Sequence, residues 1–110
     1  MTSATHYPAG HKETTDLFPN ARLQFIHGDT MTFARWEFEE GAKVPAHSHP
    51  HEQITHCLEG TLELTIDGRN FVLQPGETIV IPGNIEHDAS APNGAKGIDA
   101  FQPVREDYRF

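Results

Sequence analysis

Residues 47 to 53 read HSHPHEQ, placing three histidines, a glutamate and a glutamine within seven positions. Imidazole is the commonest protein ligand for transition metals, and residues two apart on an extended strand project the same way. On such a strand His47 and His49 present two nitrogens to one cavity and can chelate a single ion. Gln53 keeps that parity beyond Pro50, where the chain is expected to bend. His87, just after a strand expected at 78–81, would close the site from an antiparallel neighbour. Four protein ligands on a roughly octahedral divalent ion leave two positions for water or substrate. A lone His-x-His would be explained equally well by a solvated surface loop.

A second set lies at the end of the chain, in GIDAFQPVREDYRF. Asp99 and Phe101 alternate with Ile98 and Ala100 on an expected strand, so Asp99 enters the interior together with Phe101 if that face is the inner one. A carboxylate on an interior face is costly unless it is paired or functional. Arg105 offers a planar, two-pronged donor to a carboxylate. The competing reading is structural: an Asp99–Arg105 ion pair at a barrel end, with Phe101 in the core. His51 belongs on the rim of the histidine cluster or just behind its ligands, and His6, His11 and His27 read as ordinary surface residues. Glu52 and His56 have the wrong parity for the cavity and read as outward or interface residues. Cys57 shares parity with Gln53 and Thr55, which would let it line the cavity, but reads better as a packed, inert thiol. Glu37, Glu39 and Glu40 read as a solvated turn.

Short strands must position these groups. Turn signals recur along the chain, among them Asp67-Gly68, Gln74-Pro75-Gly76, Pro82-Gly83-Asn84 and Pro92-Asn93-Gly94. In TLELTIDG, Leu62, Leu64 and Ile66 share one face while Glu63 and Thr65 take the other, the period of a half-buried strand. Asp67-Gly68 suits a hairpin turn into Phe71, Val72 and Leu73. Further strands are expected at 22–27, 30–38, 53–58, 78–81 and 97–101, and no useful helical period occurs. This pattern predicts an all-β antiparallel sandwich or barrel, with residues 1–20 as an N-terminal arm and 21–110 as a single barrel domain.

With 110 residues, 36% of them hydrophobic, the chain suits one compact core. A formal net charge of -8 disfavours nucleic acid and anionic membrane as partners. The first sixteen residues hold no apolar run like a signal segment, and a cytoplasmic location is expected. The single cysteine rules out an intrachain disulfide.

Read with its flanks, the histidine stretch becomes GAKVPAHSHPHEQITHCLEG, followed after fifteen residues by GETIVIPGNIEH. This two-part pattern resembles the cupin family over roughly residues 30 to 105, and implies a cupin double-stranded β-helix, or jelly-roll, barrel. The agreement of the flanking glycines, Gln53 and distant His87 favours a metal site over a solvated loop. Two departures matter. Asn84 stands where the second motif usually has glycine, and Asn tolerates the positive φ required there. Gln53 replaces the usual glutamate, so four neutral ligands leave the ion's double charge intact and favour an anionic oxygen ligand.

The run Asp-x-Phe-x-Pro-x-Arg-Glu-Asp, together with HSHPHEQ, looks like the small pectin-degradation cupins of the KdgF type, which convert 4,5-unsaturated uronates into linear keto sugars. The resemblance implies that His47, His49, Gln53 and His87 hold one divalent transition ion, whether nickel, zinc, iron, manganese, cobalt or copper. It further implies that Asp99, Phe101 and Arg105 serve a reaction on a small anionic sugar. Rival expectations are a cupin dioxygenase or other isomerase, and a sugar-acid binding cupin without turnover. The family also implies a homodimer, for which Trp36, Phe38 or Ile54 could supply the interface; core packing is the equal alternative for Trp36.

Overall fold

A computed structural model describes residues 3–10 and 14–110, so His11 lies outside the described residues. The described strands are β1 (Thr15–Phe18), β2 (Ala21–His27), β3 (Thr32–Phe38), β4 (Ala42–His47) and β5 (Glu52–Gly60), then β6 (Leu62–Ile66), β7 (Arg69–Leu73), β8 (Thr78–Ile81), β9 (His87–Ala91) and β10 (Ala95–Gln102). They form a six-stranded sheet in the order β1-β2-β3-β10-β5-β8 and a four-stranded sheet in the order β4-β9-β6-β7. Every pairing is antiparallel. The expected all-β jelly roll is the fold adopted. Among the described residues no helix is long and apolar enough to cross a membrane.

Alternation builds the interior. In β3, Thr32, Ala34, Trp36 and Phe38 are buried while Arg35 and Glu37 are exposed, and in β6 Leu62, Leu64 and Ile66 point inward. The core joins Leu23, Phe25, Trp36 and Phe38 of the large sheet to Leu62, Leu64 and Ala91 of the small one. Each large side chain so buried contributes on the order of 1.5–3 kcal/mol. Trp36 and Phe38 are 2% and 8% exposed, which removes them as interface candidates: their parity on β3 aims them between the sheets. Ile54 does face outward, opposite Val80. The β6–β7 hairpin turns at Asp67 and Gly68, both with positive φ, as a two-residue turn of primed type requires.

Some expectations shift. The end of the stretch expected as an arm forms β1, which pairs with β2 and lays Leu17 and Phe18 against the core. Glu37 sits on β3 rather than in a turn, with Arg22 reaching it and Glu39 across the surface. Cys57 is fully buried, and burial pushes its thiol pKa up, as a packed inert thiol requires. His27 is not an ordinary surface residue. It is half-buried, with Nδ1 at 2.9 Å from Thr32 Oγ1 and Nε2 at 3.1 Å from the Tyr108 carbonyl oxygen.

Candidate metal centre and its cavity

His47 ends β4 and His87 opens β9, directly opposite each other across the ladder. His49 arrives differently from the strand parity expected of it. β4 stops at His47, and His49 lies in the connection to β5, where its Nδ1 meets the His51 carbonyl oxygen at 3.1 Å. That connection packs on the loop before β9: Asn84, at φ 64, donates its N–H to the His49 carbonyl at 2.7 Å. A Cβ on Gly83 would overlap the Pro50 carbonyl, so only glycine lets the two loops meet.

The three rings share one anchoring device. Nδ1 of His47 lies 2.8 Å from the Pro45 carbonyl oxygen, and Nδ1 of His87 lies 2.9 Å from that of Ile85, matching the His49 contact. A carbonyl only accepts, so each Nδ1 carries a proton, and in the neutral ring the lone pair is left on Nε2. Such tautomer locking is the usual support of a metal-binding imidazole. One ligand atom from each of the three rings falls within 4.8 Å of the others. His87 Nε2 is buried without a hydrogen-bond partner. The His49 Nε2 lone pair faces Gln53 Oε1 at 3.1 Å, while Gln53 Nε2 donates to Thr55 Oγ1 at 2.9 Å. Two acceptors in contact and a third orphaned nearby are unfavourable by themselves and become favourable around a shared cation. The donor set fits a divalent transition ion.

Beside the histidines is a cavity of about 60 Å³, lined by His47, Gln53, His87, Asp99, Phe101 and Arg105 among others. His49 stands behind it, its ring 5.9 Å from that of Phe101. Six of the seven residues singled out from sequence therefore meet on one space. Asp99 on β10 sits between Ala34 of β3 and Thr55 of β5. Trp36 Nε1 donates to its Oδ1 at 3.2 Å, and the Thr55 and Gln53 side chains favour its ionised form. Gly97 makes this possible, because a Cβ there would overlap the Trp36 ring. Gln53 and Thr55 thus lie, hydrogen-bonded to each other, between the histidines and the carboxylate.

Arg105 does not form the Asp99 ion pair considered above. Its Nε and Nη2 donate to the two Asp107 carboxylate oxygens at 3.0 and 2.8 Å. Its guanidinium carbon lies 4.7 Å from the Phe101 ring centre and 4.2 Å from that of Tyr108. Trp36, Thr55, Asp107 and Tyr108 were not foreseen as parts of the site. Only Thr55, by its parity with Gln53, carried a local signal.

A model of the cupin domain matches residues 34–97, more than half of the chain. The chain belongs to the cupin family. This cupin is 33% identical over 82 residues to the pectin degradation protein KdgF of Dickeya dadantii (strain 3937), a match covering 73% of this chain and 74% of that one. It superposes on the structure of KdgF from a Halomonas species with TM-score 0.87 at 26% identity, covering 96% of this cupin and 98% of that chain. An RmlC-like cupin from Shewanella frigidimarina matches with TM-score 0.88 at 29% identity, over 98% and 99% of the two chains.

The electrostatics of the cupin's cavity split by wall. Burial, reinforced by the positive charge of Arg105 and the neighbouring imidazoles, lowers the His49 pKa to about 4. Burial also lowers that of His87. Both are neutral at pH 7 and free to bind a cation. Burial raises the Asp99 pKa to about 6, against the opposing hydrogen bonds of Thr55 and Trp36 and the charge of Arg105. A structural ion pair would depress a carboxylate pKa. Asp99 instead carries the raised value common among groups that exchange protons. The Arg105 fork holds Asp107 below its ordinary value.

Proposed function

We propose that this cupin is a metal-dependent enzyme that opens the ring of 4,5-unsaturated uronates and tautomerises them to linear keto uronates. The observation that carries the reading is the meeting of three imidazoles, each anchored by a backbone carbonyl, with a buried carboxylate of raised pKa and an arginine around one cavity. The likeness to KdgF supports the substrate class.

His47, His49 and His87, with Gln53 Oε1 as fourth donor, would hold a divalent ion that supplies Lewis-acid stabilisation of oxygen charge. Asp99, ionised at pH 7, takes the proton of the anomeric hydroxyl as the bond from carbon 1 to the ring oxygen breaks. Carbon 1 becomes an aldehyde and the ring oxygen becomes an enolate on carbon 5. Asp99 then returns the proton to carbon 4, leaving a ketone at carbon 5, so no atom is gained or lost. Arg105 engages the substrate carboxylate, and Phe101 forms an apolar wall. Since a buried water needs about 15 Å³, the 60 Å³ interior admits the acidic end of the sugar while the rest stays at the mouth, beside half-exposed His47. Arg105, together with the ion these residues would hold, would reverse locally the field of a chain carrying -8.

In this reading the protein works in the cytoplasm as a homodimer, with exposed Ile54 and Val80 available to an interface. The test is a proton NMR time course of unsaturated galacturonate with metal-loaded protein. Linear keto product forming well above the spontaneous rate is expected; a rate equal to the spontaneous one, under every metal tried, would falsify the reading.

A further inference from the structure

The arginine of the cavity is held by a device that the proposed reaction does not by itself require. Its guanidinium has five N–H donors, and Asp107 takes only the edge made by Nε and Nη2. Among the described residues Nη1 has no hydrogen-bond partner, yet Arg105 lines the cavity. Phe101 and Tyr108 lie against the guanidinium, which opposes its swinging away.

The segment carrying this arrangement is itself tied down. The Arg105 N–H donates to Thr32 Oγ1 at 2.8 Å. Since the Tyr108 carbonyl only accepts, His27 Nε2 donates to it, and in the neutral ring Nδ1 then accepts the Thr32 hydroxyl proton. Tyr108 stacks on Phe25 with ring centres 4.5 Å apart.

We infer that Asp107 and Tyr108 are positioning residues, which hold Arg105 so that the edge formed by Nη1 and the outer hydrogen of Nη2 receives a ligand carboxylate. This rests on the proposed reading of Arg105 as the carboxylate contact and adds which edge is used and what holds it. It also assigns Asp107 a role opposite in sign to simple electrostatics. If Asp107 merely neutralised Arg105, removing its charge would tighten anion binding. If it orients the fork, removing it loosens binding despite the more positive site. Asp107 is 53% exposed in its side chain, so its loss costs the fold little.

The test is an NMR titration of the ¹⁵N-labelled, metal-loaded full chain with saturated D-galacturonate, and with neutral D-galactose as control. The expected result is a preference for the acid that falls about fivefold or more in Asp107→Asn, a change of about 1 kcal/mol, with galactose binding unchanged. Asp107→Glu should retain most of the preference, which keeps the test decisive if the asparagine variant folds poorly. Tyr108→Phe should match the parent and Tyr108→Ala should not. Unchanged or tighter galacturonate binding in Asp107→Asn overturns the inference, as does a parent protein that fails to distinguish the acid from galactose. Should the parent bind galacturonate in an Asp107-dependent way yet convert no unsaturated uronate, the proposed reaction falls and this inference stands.

Discussion

The two walls of the cavity are held by opposite means. On the histidine wall each imidazole is fixed by a backbone carbonyl two residues away in sequence. On the acid wall the Arg105–Asp107 fork is local, but the other holding contacts span the chain: Trp36 holds Asp99 from 63 positions away, Thr32 holds Arg105 from 73, and His27 holds Tyr108 from 81. The first wall depends on main chain that any side chain supplies. The second depends on particular side chains brought together by folding, and this wall contains the charged groups. Substitutions should therefore act very differently on the two sides.

The largest effect is expected at Asp99. Asp99→Asn keeps an acceptor for Trp36 Nε1 and leaves the imidazoles alone, so elemental analysis should find the ion still bound. Turnover should fall about 10² to 10⁴-fold, the usual contribution of a positioned acid-base group. The same variant should be more stable. A carboxylate whose pKa rises from 3.8 to about 6 on folding favours the protonated form in the native state, so stability is lost as pH rises through that window. Removing the charge should recover up to about 3 kcal/mol at pH 7, measurable by thermal unfolding. A less stable variant with full activity would show that Asp99 is structural.

A smaller effect is expected at Trp36. With Asp99 as base, kcat/KM should decline below pH 6. Trp36→Phe removes a donor to the ionised form and should move that acid limb upward by about one pH unit, equivalent to about 1.4 kcal/mol, while metal content stays constant. A downward shift, or none, would disconnect the indole from the carboxylate. The smallest effect belongs to the other wall. Ile85→Ala trims a partly buried side chain but leaves the carbonyl that His87 Nδ1 meets, so metal affinity should change less than about twofold. A loss on the order of tenfold, as outer partners of metal ligands typically show when removed, would mean that the side chain of residue 85 orients the ring.

The sequence predicted the histidine wall more completely than the acid wall, and the geometry explains the difference. HSHPHEQ is local, and an Asn before the second strand of the pair tolerates the positive φ found at Asn84. Even there the mechanism of presentation differed: His49 reaches the site through a loop held by its own ring, not by strand parity. On the acid wall Asp99, Phe101 and Arg105 could be named in advance, but no sequence signal gave Asp107 a role. Trp36 was weighed for an interface or the core, and neither reading included its N–H on Asp99. His27, expected at the surface, proved to be an anchor. A pairing of residues dozens of positions apart leaves no periodic trace by which a single chain could reveal it.

What the sequence determined alone is the alternation that makes strands, the glycines and asparagine that make the turns, and the residue types able to bind a cation. These follow from the steric and hydrogen-bonding character of each residue and its near neighbours. Only the tertiary structure decided that β10 runs between β3 and β5, which buries Asp99 under Trp36 and Thr55 and raises its pKa. Only folding brought Arg105 to the wall of the cavity, against Phe101 and Tyr108. Desolvation and long-range hydrogen bonding depend on which distant atoms become neighbours.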